Sequence, residues 1–129
     1  MSQFAITLAE FAKAEAVIKP TLFETTLIPS ECYSKATGGH IYFKPENLQR
    51  TGSYKVRGAL YKIHQMTAAQ KAKGLIAASA GNHAQGVAFA ANQEGIKAII
   101  VMPESTPLLK INETKSHGAE VILSGTVYD

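Results

Sequence analysis

Residues 75–102 read LIAASAGNHAQGVAFAANQEGIKAIIVM and contain two short apolar runs separated by a longer mixed segment. The runs are Leu75–Ala78 and Ala98–Met102, and the segment between them opens at Gly81-Asn82 and closes at Gly95. Short apolar runs bounded by turn residues are typical of buried strands, while glycine commonly ends a helix. The stretch therefore predicts a strand, a helix and a second strand that is parallel to the first.

The same pattern continues towards the C-terminus. Ser105-Thr106-Pro107 opens a further helix that Gly118 closes, and Val121–Leu123 forms a third apolar run. The order βαβαβ implies a parallel sheet whose strands are joined by right-handed crossovers. The predicted fold class is therefore α/β, with a parallel sheet and βαβ crossovers.

Two helices are predicted upstream of the first strand. Ser53 is placed to cap a helix with one apolar stripe, which consists of Val56, Ala59, Leu60 and Ile63. Thr67-Ala68-Ala69-Gln70 is a capping box that opens a second, short helix, and Gly74 is its natural stop.

The N-terminal part of the chain is less regular. A capping box at Thr7–Glu10 predicts a helix over Leu8–Ile18. The stretch Thr21–Gly39 lacks a sustained period and contains Pro29, which predicts an irregular connection across the surface. Ile41–Phe43 is then expected to form a short strand.

The composition argues against several classes of protein. Of 129 residues, 46% are hydrophobic and 18% are charged, as in a soluble globular domain. The net charge of +3 is spread along the chain, whereas nucleic-acid-binding proteins usually have a clustered basic face. No apolar run approaches the ~20 residues of a membrane helix and no targeting signal is recognisable, so we expect a cytoplasmic protein. The histidines are isolated and the single cysteine cannot form an internal disulfide, so no metal site is predicted.

Two turns carry residues suited to chemistry. Lys55 falls in the opening turn of a predicted helix beside Tyr54, where the helix macrodipole disfavours a cation, and such a lysine suits Schiff-base chemistry. Residues 79–83, Ser-Ala-Gly-Asn-His, follow a strand and open a helix, so their backbone N–H groups could hold a carboxylate or phosphate. These residues alone leave two alternatives open: a solvated surface lysine, and an Asn-capped turn in a non-catalytic α/β anion-binding domain.

Together, the two segments resemble the fold-type-II pyridoxal-phosphate enzymes and, within them, the serine and threonine dehydratases. Residues 51–59, TGSYKVRGA, are similar to the family's lysine motif, and residues 79–86, SAGNHAQG, to its asparagine loop. The resemblance extends from about Pro20 to Asp129 and includes Lys44–Asn47 and Val101–Pro103. It implies pyridoxal 5'-phosphate as the cofactor and the conversion of L-threonine or L-serine to a 2-oxo acid and ammonia.

The resemblance also implies roles for individual residues. Lys55 corresponds to the Schiff-base lysine, Tyr54 to an aromatic residue near the cofactor ring, and Asn82 to the hydrogen-bond partner of the 3-oxygen of that ring. The substrate carboxylate would be held by the loop that contains Ser79, Gly81 and His83. At His83 the backbone N–H is expected to matter more than the imidazole.

Relatives of the same fold give the alternatives. Threonine synthases and cysteine synthases typically continue Lys-Asp-Arg, whereas Lys55 is followed by Val56-Arg57, which favours the dehydratases over a β-replacement synthase. Serine racemases carry a second serine at the position of Ala80, so racemisation is the less favoured hypothesis. We expect the full-length enzyme to be a homo-oligomer that acts on a small amino-acid substrate. The preference between threonine and serine, and a biosynthetic or catabolic role, stay open.

The same resemblance divides the chain. Residues 1–52 correspond to the N-terminal segment of the family's large domain, and residues 53–129 to most of its small α/β domain. The rest of the large domain, including the glycine run that wraps the cofactor phosphate, has no counterpart here, so the chain is expected to be truncated. Alone, it is expected to lack dehydratase activity and tight cofactor binding.

Overall fold

The N-terminal part of the chain contains helices and a small antiparallel ribbon, in a computed structural model that describes residues 6–126. Helix α1 spans Leu8–Ile18 and begins with the predicted capping box. In this box, Thr7 Oγ1 accepts a hydrogen bond from Glu10 N–H at 3.4 Å, and Glu10 Oε2 accepts one from Thr7 N–H at 2.7 Å. Strand β1 (Ile28–Pro29) pairs antiparallel with β2 (Tyr42–Phe43), so the predicted helix and the predicted strand are both confirmed.

The prediction of an irregular connection over Thr21–Gly39 is wrong from Ile28 onwards, where strand β1 and then a helix form. Helix α2 spans Glu31–Thr37, Ser30 Oγ accepts a hydrogen bond from Tyr33 N–H at 3.5 Å, and Gly38 follows the helix with a φ of 70°. A serine cap and a left-handed glycine are the usual ends of a helix. The helix has only 7 residues, which is too few to show a helical period in the sequence.

The elements that follow are a 3₁₀ turn at Glu46–Leu48 and the helices α3 (Lys55–His64) and α4 (Ala68–Ala72). Both helices were expected, and the predicted apolar stripe of α3 is buried, with Val56 at 0% exposure. The cap of α3 differs from the prediction. Tyr54 occupies the capping position, and Ser53, one residue earlier, accepts a hydrogen bond from Lys55 N–H on its Oγ at 3.4 Å. Lys55 is therefore the first residue of α3.

A parallel sheet occupies the C-terminal part of the chain. It consists of β3 (Leu75–Ala78), β4 (Ala98–Met102) and β5 (Glu120–Leu123), which are joined by α5 (Asn82–Gln93) and α6 (Leu108–Ser116). Strand β4 lies in the middle and pairs in parallel with both neighbours. The predicted βαβαβ order is therefore confirmed, and β5 begins one residue before its predicted start.

The two faces of this sheet differ in their exposure. Helices α5 and α6 pack against the face that includes Ile100 and Met102, both 0% exposed. Successive side chains of a strand point to opposite faces. The other face accordingly carries Ile76, which is 74% exposed, and Ile122, which is 42% exposed.

Helix α3 packs on α5, and α1 packs in turn on α3. The contact between α3 and α5 brings the N-terminal ends of these two helices together, and both ends carry residues of the two sequence motifs. Among the helices within residues 6–126, none combines the length and the hydropathy needed to cross a membrane.

Candidate active site

The side chain of Lys55 is accessible and faces open space. It lines a cleft of about 740 Å³ with Tyr54, Gly58, Lys62 and His83, and its Nζ lies 5.2 Å from the centre of the Tyr54 ring. In the part of the chain that the structure describes, no carboxylate forms an ion pair with this amine. The amine is therefore free to react with a molecule that enters the cleft.

The loop between β3 and α5 is held by the hydroxyl of Ser79. The Ser79 N–H donates to the carbonyl of Val101 on the neighbouring strand at 3.0 Å. Ser79 Oγ accepts hydrogen bonds from the N–H groups of Gly81 at 3.4 Å and Ala84 at 3.3 Å. Gly81 occupies the capping position of α5, and Asn82, which was considered as the cap, already lies in the helix. The N–H of Ala84 in the first turn is instead bound by the Ser79 hydroxyl.

Two backbone donors remain available at this helix end. Within residues 6–126, the N–H groups of Asn82 and His83 have no hydrogen-bond acceptor. Unpaired N–H groups at the start of a helix, aligned with its macrodipole, are suited to bind an anion. The predicted anion-binding property of this turn is therefore compatible with its geometry.

The structure brings some of the predicted site residues together and leaves others beside the cleft. Lys55, Tyr54 and His83 line the same cleft, although the two motifs lie far apart in the sequence. Ser79, Gly81 and Asn82 belong to the adjoining turn but are not among the residues that line it. The predicted residues therefore form one region with two parts, an amine and an anion-binding turn.

The cleft fits a ligand that carries an aldehyde and negative charge. Its charged lining residues are Lys55, Arg57 and Lys62, and no acidic side chain lines it among the described residues. A Cβ at Gly58 or at Gly81 would meet nothing within 4 Å, so there is room for a ligand beside both turns. These features match the chemistry of pyridoxal 5'-phosphate, whose aldehyde reacts with an amine and whose phosphate is an anion.

An ion pair between Arg57 of α3 and Glu46 of the 3₁₀ turn connects these two elements. Arg57 donates from Nε to Glu46 Oε2 at 2.7 Å and from its terminal nitrogen to Oε1 at 2.8 Å, while Thr25 Oγ1 donates to Oε1 at 2.5 Å. Lys44 Nζ in turn donates to the carbonyl of Thr25. The ion pair thus connects two segments that lie 11 residues apart in the sequence.

A second set of side chains holds the extended segment that precedes β1. Gln49 accepts a hydrogen bond from the N–H of Phe23 at 3.0 Å and donates one to its carbonyl at 2.9 Å. Arg50 Nε donates to the carbonyl of Thr21 at 2.5 Å. Sequence reasoning did not identify Gln49, because its partner lies 26 residues away and no local pattern marks the pair.

Replacing Glu46 with Gln is expected to lower the free energy of unfolding by roughly 1–3 kcal/mol at neutral pH, the usual size for hydrogen bonds to a charged group. The hydrogen bond from Arg57 holds the pKa of Glu46 below its ordinary value of 4.5, so the folded state favours the ionised carboxylate. The stabilisation is complete above a pH of about 4.5 and is lost as the pH falls through the lowered pKa. Urea unfolding of parent and variant at a series of pH values measures the difference.

Glu15→Gln is the matched control for this experiment. Its partner Lys19 lies 3.8 Å away and both side chains are about two-thirds exposed, at 69% and 68%. Exposed pairs contribute little, so this variant is expected to differ from the parent by less than about 0.5 kcal/mol. A Glu46→Gln effect that persists unchanged well below the ordinary carboxyl pKa would contradict the role of the ion pair.

Two of the four histidines have ordinary structural partners. His64 Nδ1 lies 3.2 Å from Glu94 Oε1, and the ring of His117 packs edge-on against Phe89 at 5.8 Å. Across residues 6–126, no group of three or more His, Cys, Asp or Glu side chains is arranged to hold a metal ion.

Comparisons with known proteins agree with the two motifs. Residues 18–129 match the family described as "Pyridoxal-phosphate dependent enzyme". The chain is 50% identical over 124 residues to the L-threonine ammonia-lyase of Thermotoga maritima, an alignment that covers 96% of this chain and 31% of that protein.

Two solved structures show the same fold. The processed form of threonine deaminase isoform 2 from Solanum lycopersicum superposes with a TM-score of 0.80 at 35% identity, over 97% of this chain and 36% of that one. Maize serine racemase superposes with a TM-score of 0.86 at 34% identity, over 96% of this chain and 38% of that one. The chain thus spans about a third of the length of the proteins it matches. Because the family match covers all but the first 17 of its 129 residues, the chain belongs to the family of pyridoxal-phosphate-dependent enzymes.

Proposed function

We propose that this chain supplies the cofactor lysine and the carboxylate-binding turn of an ammonia-lyase that acts on L-threonine or L-serine. The observation that carries the proposal is the shared cleft, which Lys55 and His83 line from the starts of two helices packed against each other. The names of the threonine ammonia-lyase and threonine deaminase relatives, and the 50% identity to the former, support the reaction class. When bound, pyridoxal phosphate supplies an electron sink for the bonds at the substrate Cα.

The residues of this chain would then have distinct tasks. The amine of Lys55 would hold the cofactor through its aldehyde and, once released, would take the proton from the substrate Cα. The N–H groups of Asn82 and His83 would bind the substrate carboxylate and turn the Cα–H bond towards that amine. Loss of the β-hydroxyl as water, followed by hydrolysis, gives a 2-oxo acid and ammonia.

The remaining predicted residues would shape the cofactor site. Tyr54 would lie beside the cofactor ring, and the side chain of Asn82, which does not cap α5, would be available for the ring oxygen. Ser79 and Gly81 would keep the turn in shape, since the Ser79 hydroxyl bonds to the Gly81 N–H.

Reductive labelling tests the proposal on the chain itself. The chain is mixed with pyridoxal phosphate, reduced with borohydride and digested, and mass spectrometry measures the labelled fraction of each lysine. Lys55 is expected to be labelled several-fold more than Lys62, which lines the same cleft but lies about two helical turns after Lys55 in α3. Equal labelling of the two lysines would contradict the proposal and favour a non-catalytic anion-binding domain.

We expect turnover to need the parts of the enzyme that this chain does not match, since the chain matches 31% of the Thermotoga maritima enzyme. A chimera in which the chain replaces the matching third of that enzyme provides the missing part. This chimera is expected to form 2-oxobutyrate from L-threonine, measured by coupled reduction of the oxo acid. A folded chimera without this activity would contradict the proposed reaction.

Serine racemase is the alternative that a solved structure favours, and Ala80 separates the two activities. Ala80 has no exchangeable proton on the face where the racemases carry a second serine. In the chimera, Ala80→Ser is therefore expected to raise D-serine formation from L-serine by about tenfold or more, within the range of general acid–base catalysis. Chiral chromatography measures the product, and Ala78→Ser, two residues earlier on the chain, is the control. If D-serine formation did not rise above the level of the parent, the residue at position 80 would not decide between the two activities.

The proposal also includes the division of the chain into two domains and the oligomeric state of the full-length enzyme. Residues 1–52 would belong to the large domain and residues 53–129 to the small one, and the two sheets of the structure fall on opposite sides of this boundary. The full-length enzyme would be a cytoplasmic homo-oligomer. Light scattering of the chimera measures the assembly, and a monomer with full activity would contradict it.

A further inference from the structure

Gly86 lies in the interior of α5, about one turn after Asn82, and is buried. A Cβ atom at this position would lie 3.2 Å from the carbonyl carbon of Lys55 and 3.2 Å from Val56 N, and 3.3 Å from the Lys55 carbonyl oxygen. Such distances are tighter than nearly all Cβ contacts, so a methyl group would force a neighbour to move by a few tenths of an ångström. Gly86 therefore allows α5 to approach the backbone of the lysine directly.

Glycine at this place has a cost for the helix that carries it. A glycine in a helix interior is less favourable than alanine, because it loses more backbone freedom on folding. Gly58 in α3 is a useful comparison, since a Cβ there would meet nothing within 4 Å. The two helical glycines thus share the same intrinsic penalty, but only Gly86 has a neighbouring backbone that excludes a side chain.

We propose that Gly86 is a positioning residue that sets the separation between Lys55 and the turn at Asn82–His83. It contacts the backbone of Lys55 from the same helix that begins with Asn82, so it links the two parts of the proposed site directly. All three close neighbours are backbone atoms, and no side-chain rotation can relieve the contact. A larger residue must displace the start of one helix relative to the other.

The inference rests on the proposed function, because it concerns the distance between the reactive amine and the carboxylate-binding turn. The rate of a reaction between two groups that a protein holds in place depends steeply on the distance between them. A displacement of the order of 1 Å can lower the rate about a hundredfold. A displacement of a few tenths of an ångström is expected to cost roughly three- to tenfold. The effect would be on the reaction of Lys55 and not on the reactivity of lysines elsewhere in the cleft.

The test uses Gly86→Ala in the chain and in the chimera. In the chain, the several-fold excess labelling of Lys55 over Lys62 is expected to shrink towards equal labelling, while the labelling of Lys62 stays unchanged. In the chimera, kcat is expected to fall by a similar factor with a smaller change in KM, because positioning and not substrate affinity is altered. Asn112→Ala, at an exposed position in the middle of α6 and outside the cleft, is the reference for helix propensity and is expected to raise the midpoint of thermal unfolding by roughly 1–4 °C.

If Gly86→Ala is too unstable to be labelled, a stabilised double variant replaces it. Gly86→Ala/Asn112→Ala combines the substitution with a stabilising one in α6, outside the cleft, and it is compared with Asn112→Ala alone. A folded double variant with the same labelling ratio as its reference would overturn the positioning role of Gly86. A parent chain that shows no preference for Lys55 would instead count against the proposed function, so the two failures are distinguishable.

Discussion

Changing Lys55 to Ala in the chimera is expected to reduce 2-oxobutyrate formation from L-threonine by at least about a thousandfold. The substitution removes the group that would hold the cofactor and the base that would take the Cα proton, and a positioned base alone contributes about 10²–10⁴-fold. The fold should be unaffected, because Lys55 is an exposed residue at the start of α3 and alanine is a strong helix former. Circular dichroism and thermal unfolding check the fold, and a coupled assay measures the activity.

Lys115→Ala is the matched control for this experiment. Lys115 is an exposed lysine in the last turn of α6, and the ion pairs found among the described residues do not include it. Its removal is expected to leave turnover within about twofold of the parent, as for most surface substitutions. If folded Lys55→Ala retained more than a few per cent of the parent turnover, Lys55 would have no essential part in the reaction.

The largest effect on stability is expected from Ile100→Ala. Ile100 is 0% exposed and lies in β4, the central strand of the parallel sheet. Truncating a buried isoleucine to alanine costs about 2–5 kcal/mol, since it removes buried apolar surface and leaves a cavity. A domain of this size is stable by about 5–15 kcal/mol, so the variant should lose a large part of its stability. Urea unfolding followed by circular dichroism measures the loss.

Ile122→Ala gives the comparison on the opposite face of the same sheet. Ile122 lies in β5 and is 42% exposed, so its truncation removes less buried surface and leaves no closed cavity. We expect a loss of less than about 1 kcal/mol. Equal losses for the two isoleucines would mean that both faces of the sheet are buried in solution.

Several elements could be predicted because their signals are local. The stripe of α3 repeats with the helical period, and the runs of β3 and β4 are bounded by turn residues, so both were expected with nearly their observed limits. Helix α2 was missed because its 7 residues are too few for a period, and its two signals, Ser30 and Gly38, lie in a stretch interrupted by Pro29. Local reasoning therefore succeeded where a period, a capping box or a pair of flanking turns marked the element, as the capping box at Thr67 did for the five-residue α4.

The contacts that position the candidate site have no such signal. Glu46 and Arg57 are 11 residues apart, and Gln49 and Phe23 are 26 apart, and no periodic pattern connects the members of either pair. A glycine inside a predicted helix, such as Gly86, could have been noted as unusual, but the sequence does not show which atoms lie against it. Its neighbours are the backbone atoms of Lys55 and Val56, about thirty residues away.

Periodicity, caps and glycines act over a few neighbouring residues, and they were sufficient to predict the order of the elements from α3 to β5, the parallel sheet and the residue types of the two turns. Three further features were not predictable from them. Lys55 and His83 line one cleft, the Ser79 hydroxyl and not the Asn82 side chain accepts the N–H of Ala84, and one face of the sheet is exposed. These features depend on how α3 packs against α5 and how the helices cover the sheet. Such distances between remote residues follow from the packing of whole elements and are not encoded in any short segment.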